Sequence, residues 1–141
     1  LPTRLSFLLD HPGRGLTWIG TYGPTSRWAE GYVRAVEVMK QHGFPPGAVL
    51  RPMRSGHFGV LRMIVTFDKA DASDRRRVQE LNAAMCDAVV PLGFIPYKTP
   101  PWVLKRFAAR LDPGFAALLD RIRSAMDPAG ILNPGKWAVR E

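Results

Sequence analysis

One cysteine, three histidines and twelve acidic residues against twenty basic ones make up the chemically active side of this 141-residue chain, and each shortage excludes something. Cys86 is alone, so no internal disulfide forms. Its position on the apolar side of a helical pattern marks it as a buried thiol, compatible with a reducing, cytoplasmic setting. No Cys or His pair has zinc-ligand spacing, so no metal site is expected. No apolar run approaches the roughly 18 residues of a membrane span. The stretch Leu1 to Leu9, broken by Arg4 and Ser6, is too short for a secretory signal. A serine nucleophile elbow, a glycine-rich phosphate loop and an HExxH helix are all missing, which argues against a self-contained hydrolase or kinase. The acids lie mostly on helices, at caps and in turns, and no acid/base pair stands out. A start at Leu1 suggests a piece of a longer polypeptide.

The formal charge of +8 raises nucleic acid as a partner. The basic residues are nevertheless spread along the chain, and the one dense run, Arg75-Arg76-Arg77, opens a helix as a solvated face. No helix-turn-helix or aromatic RNA-binding motif is readable, so no nucleic-acid partner is expected.

Hydrophobic periodicity orders the chain as one α+β domain over residues 1–141, with a core at 14–99 and a helical extension and tail at 100–141. Leu16 to Tyr22 reads as a strand ended by Gly23-Pro24. Thr25 or Ser26 then caps a helix carrying Trp28, Tyr32, Ala35, Val36 and Met39 at helical spacing. Ala48 to Arg54 and Phe58 to Asp68 read as strands joined by the hairpin loop Ser55-Gly56-His57. Ser73 or Asp74 caps a second helix with the stripe Val78, Leu81, Met85, Ala88 and Leu92; Phe94 to Lys98 follows as a fourth strand. The order β-α-β-β-α-β is the ferredoxin-like plan, an antiparallel sheet with helices on one face. Val103 to Arg110 and a helix begun by Asp112-Pro113, striped with Phe115, Leu118, Leu119, Ile122 and Met126, precede an extended tail.

Strand parity sorts the third strand. Leu61, Met63, Val65 and Phe67 take the helix-covered side, and Arg62 the other. Two or three of Arg51, Arg54, Arg62 and Lys98 are expected on the uncovered face, near Tyr22 or Tyr97. Two readings stand: solvated cations whose stems cover apolar area, or a site for a small anion. His57, between a glycine and the third strand, is open as ligand, base or neither.

The tail Met126-Asp-Pro-Ala-Gly-Ile-Leu-Asn-Pro-Gly-Lys136 resembles the C-terminal signature of FAD-linked oxidases of the vanillyl-alcohol oxidase and p-cresol methylhydroxylase type. The strand pair RSGHFGVLRMIVTFDK and the segment Pro96-Tyr97-Lys98-Thr99 resemble the same family, over residues 14 to 137 in all. The resemblance implies the cap domain of a larger enzyme, with its open sheet over a flavin held by an N-terminal FAD-binding domain of the same polypeptide. The chain alone would then be inactive, and a homodimer is allowed. It implies oxidation of a small anionic or hydroxylated aromatic substrate by hydride transfer. Tyr97, Lys98 and Arg62 would act on that substrate, with Lys98 where the family has arginine. His57, Leu61, Arg62, Asn133 and Lys136 would lie at the cofactor. Covalent attachment in some members falls near Leu61 or Arg62, which cannot form the link, so FAD would be non-covalent. Of the HxGDGNxH-like metal motif of related dehydrogenases only His57 remains. The alternative is a non-catalytic ferredoxin-like module that binds a small anion.

Overall fold

The computed structural model describes residues 12–98 and 100–134, without the side chains of Phe107 and Ala109. The chain divides into two compact units, Leu1–Lys98 and Thr99–Glu141.

The first unit runs β1 (Arg14–Pro24), α1 (Trp28–Gln41), β2 (Ala48–Pro52), β3 (Phe58–Asp68), α2 (Ala72–Val89) and β4 (Ile95–Pro96). The sheet order is β2-β3-β1-β4, with every neighbouring pair antiparallel. This is the ferredoxin-like arrangement that the alternation of strand and helix patterns leads one to expect. β1 and β3 pair along their full length, from Arg14 opposite Asp68 to Pro24 opposite Phe58. Leu61, Met63 and Val65 of β3 meet Ala35 and Met39 of α1 and Val78, Leu81, Met85 and Val89 of α2 in one buried cluster. Phe94, fully buried, closes that cluster, and Cys86 is a buried free thiol.

Three local expectations are corrected. Neither Thr25 nor Ser26 caps α1; they belong to a 3-10 turn, Thr25–Arg27, ahead of the helix. The Thr25 hydroxyl instead donates to Gly56 O at 2.6 Å, tying the helix entrance to the β2–β3 turn. The cap of α2 is Asp71, whose carboxylate accepts from Ser73 N at 2.7 Å. An acceptor one position before the first helical residue reaches an unpaired amide of the first turn, whereas Asp74, already inside that turn, accepts from Asp68 N. The fourth strand shrinks to Ile95–Pro96, because Phe94 dives into the core and Pro96 has no N–H to donate. Tyr97 N still donates to Gly20 O at 3.2 Å, so the chain hugs β1 past the strand end.

In the second unit α3 (Pro101–Phe107) continues into a 3-10 turn at Ala108–Arg110, and α4 spans Pro113–Met126. Asp112 caps α4 as expected, accepting from Phe115 N at 2.9 Å, with Pro113 in the first turn. The apolar stripe of α4 is largely uncovered: Phe115, Leu118, Ile122 and Met126 are all exposed, and Ala116 is its buried residue.

Candidate functional site on the open sheet face

Alternation along β1 sends Ile19 and Thr21 toward the helices and Trp18, Gly20 and Tyr22 to the opposite face. Directly opposed residues of an antiparallel pair share a face, so Arg62, which faces Gly20, lies on that same side. Tyr97 arrives from the other flank, held to Gly20 by the backbone bond already described. Gly20 is therefore the floor between them. A Cβ there would fall on the hydroxyl end of the Tyr97 ring, so only glycine lets the phenol lie flat across the strand. Over this floor Arg62 Nε donates to Tyr97 Oη at 3.0 Å.

An aromatic frame surrounds the pair. The Tyr22 ring sits 5.0 Å from that of Tyr97 and 6.0 Å, edge-on, from that of Phe58. The Arg62 guanidinium lies 5.5 Å from the Trp18 ring and 5.8 Å from the Tyr97 ring, and Lys98 Nζ lies 5.1 Å from the Trp18 ring. Stacking of this kind holds a cation against its face without neutralising it. Tyr97 accepts from Arg62, which leaves its own O–H to donate. Among the described residues no carboxylate forms an ion pair with Arg62 or Lys98. The site thus offers donors and positive charge and asks for an acceptor.

Of the residues singled out from sequence, Arg62, Tyr97 and Lys98 come together here. Arg51 shares the open face by register, opposite Val60, but on the outer strand; Arg54 sits in the exposed turn after β2. His57 is exposed in the same turn, and its carbonyl accepts from Thr25 N at 3.1 Å. Leu61 does not belong to the site. Adjacent strand residues point to opposite faces, and Leu61 is buried among the helices while Arg62 looks out. Asn133 belongs to the second unit, and Lys136 lies outside the described residues. Trp18, Gly20 and Phe58 were not singled out, though for Trp18 and Gly20 the signal existed: in Leu-Thr-Trp-Ile-Gly-Thr-Tyr, Trp18, Gly20 and Tyr22 share parity.

The second unit holds a pocket of about 790 Å³ lined by Leu104, Phe115, Leu119, Ile122 and Met126, with Arg123, Asp127 and Asn133 at its polar side. The segment after α4 is built around Asp127. Its carboxylate, nearly buried, accepts from Ile131 N and Leu132 N, both at 2.9 Å. Gly130 takes φ +66, a left-handed turn that suits glycine, and Arg123 donates to Asn133 O at 3.2 Å.

Residues 104–137 match the family model described as FAD linked oxidases, C-terminal domain. The chain resembles the C-terminal domain of FAD-linked oxidases. Solved structures agree in fold. A 4-ethylphenol oxidase from Gulosibacter chungangensis, in complex with isoeugenol, superposes with a TM-score of 0.76 at 20% identity. It covers 93% of this chain and 26% of its own. A p-cresol methylhydroxylase with substrate bound gives 0.74 at 20% identity, over 89% of this chain and 24% of its own. The chain therefore spans about a quarter of the length of these oxidases. Among curated proteins none matches. The segment matched to the FAD-linked oxidase model includes the Asp127 turn, whose sequence here is Asp127-Pro-Ala-Gly-Ile-Leu132. In this chain the open sheet face lies in the first unit and the Asp127 turn in the second. No described helix is long and apolar enough to cross a membrane.

Proposed function

We propose that the chain is the substrate-side cap of an FAD-dependent oxidoreductase, whose FAD is held mainly by a separate N-terminal domain of the same polypeptide. The observation that carries this reading is the Arg62–Tyr97 pair over Gly20, a donor-rich spot on the sheet face opposite α1 and α2. The face suits the flat ring system of a flavin and a small substrate beneath it. Trp18, Tyr22 and Phe58 give it apolar area, and Arg62 and Lys98 face it with positive charge where a reduced flavin would carry negative charge. Bound there without a covalent link, FAD would supply the acceptor for a hydride from an oxygen-bearing or benzylic carbon. The chain's own residues bind and orient. Tyr97 O–H and the Arg62 guanidinium hold an anionic oxygen of the substrate, and Lys98 adds charge beside them, as an oxyanion site does. Lysine at position 98 is a point charge without a guanidinium's paired donors, so geometry at the anion is set by Arg62 and Tyr97.

The test is kinetic. Arg62→Leu in the flavin-containing native polypeptide should cost at least about tenfold in kcat/KM, as loss of a charged donor at a developing oxyanion does. Tyr97→Phe should act in the same direction. Unaltered kinetics in Arg62→Leu would remove the pair from the site and with it the main support for the reading.

A further inference from the structure

The site has more positive charge than one anionic oxygen needs. A single phenolate-like oxygen satisfies Tyr97 O–H and the guanidinium of Arg62. Lys98 remains, its ammonium on the same indole as the guanidinium yet bonded to no carboxylate among the described residues. Two cations converging on one ring repel each other, and that repulsion is relieved when a ligand brings a second negative group. The surroundings narrow the ligand further. The Trp18 ring lies against both donor groups, and the Tyr97 ring, with Tyr22 beside it, adjoins the guanidinium, so the part of the ligand that links its two polar ends is flat and apolar. We propose that this face selects an aromatic compound with two oxygen-acceptor groups, a hydroxyl and a carboxylate, the hydroxyl oxygen at Arg62 and Tyr97 and the carboxylate at Lys98. This names a substrate class for the site proposed above and rests on that reading.

Isothermal titration of the native flavin-containing polypeptide with phenol, benzoate and 4-hydroxybenzoate tests it. The flavin absorbance of the same sample reports separately on the enzyme reading. 4-Hydroxybenzoate should bind at least about tenfold more tightly than phenol, an added charge-assisted contact. Lys98→Met should bring the two within about threefold, the loss falling mainly on 4-hydroxybenzoate, because Lys98 is exposed and its replacement removes the charge that meets the carboxylate without disturbing the core. Arg62→Leu should weaken both. Equal binding of phenol and 4-hydroxybenzoate, no binding of either, or an undiminished preference in Lys98→Met overturns the proposal even when the flavin bands are present. Missing flavin bands would overturn the enzyme reading instead, whatever the titration gives.

Discussion

At the scale of single residues the site depends on a side chain that is missing. Glycine inside a strand is ordinarily a weakness, worth roughly 0.5–1 kcal/mol against alanine through backbone entropy. Gly20→Ala would therefore stabilise β1 if the space above it were open. It is filled by the Tyr97 phenol, which a methyl group would push off the strand and out of reach of Arg62 Nε. The expected result is a loss of about tenfold or more in kcat/KM with flavin content kept, since no core contact changes. Steady-state kinetics beside a thermal melt would check it. A variant that melts higher and turns over normally would mean that Tyr97 is not held by this floor. Arg62 illustrates the same dependence. A guanidinium between two rings keeps its charge, while its bond to Tyr97 fixes the direction in which its remaining donors point.

At the scale of elements, the turn after α4 shows an acid in a structural role. Both oxygens of Asp127 accept backbone amides, from Ile131 and Leu132. Asp127→Ala strips the acceptor from two N–H groups at once, for an expected cost of about 1–3 kcal/mol. Gly130→Ala, forcing a Cβ into φ +66, should cost about 1–2 kcal/mol. Amide hydrogen exchange reads both, with faster exchange at Ile131 and Leu132 in each variant; unchanged protection would show that the turn is held by something else. The sheet was the most legible part of the chain. Alternation along β3 separated Leu61 from Arg62, and the glycine and proline breaks marked its ends. Caps were less legible, because Asp71, Ser73 and Asp74 all carry capping side chains and only the backbone geometry selects Asp71. The meeting of Trp18, Gly20, Arg62 and Tyr97 required the strand order, since these residues come from β1, β3 and the segment after β4, whose adjacency is not a property of any one segment. The stripe on α4 was readable as apolar, but periodicity says which side is apolar and not whether anything covers it.

At the scale of the whole molecule, an excess of eight positive charges poses the question of what the cations are for. Many serve locally. Arg27 pairs with Glu30 across the start of α1, and Arg34 with Glu37 and Arg77 with Asp74 within helices, each pair three residues apart. Arg27 also donates to Leu92 O, Arg75 to Lys69 O and Ala70 O, and Arg77 lies over the Phe44 ring. Exposed helical pairs of this kind contribute little to stability and build no continuous stripe for a phosphate backbone. Arg62 and Lys98 of the open face lie against the Trp18 ring and, among the described residues, pair with no acid, and they suit a small anionic partner.

That contrast sets up the whole-molecule prediction, the visible spectrum of the undivided native polypeptide before and after acid precipitation. If the open face lies over FAD, bands near 450 nm, general to oxidised flavin, should be present and should pass into the supernatant on precipitation. The residues nearest the expected attachment position give a physical reason for release: Leu61 is buried and inert, and Arg62 is already committed to Tyr97 and forms no carbon–nitrogen link to a flavin. Flavin retained in the pellet would place a covalent bond elsewhere. His57→Ala would then be the variant to compare, because that imidazole is exposed in the turn leading directly to Phe58 at the edge of the aromatic frame. A native polypeptide with no flavin would remove the redox role while leaving the donors of Arg62, Tyr97 and Lys98 in place. The open face would then have to be read as the binding surface of a ferredoxin-like module for small anions, with no chemistry of its own.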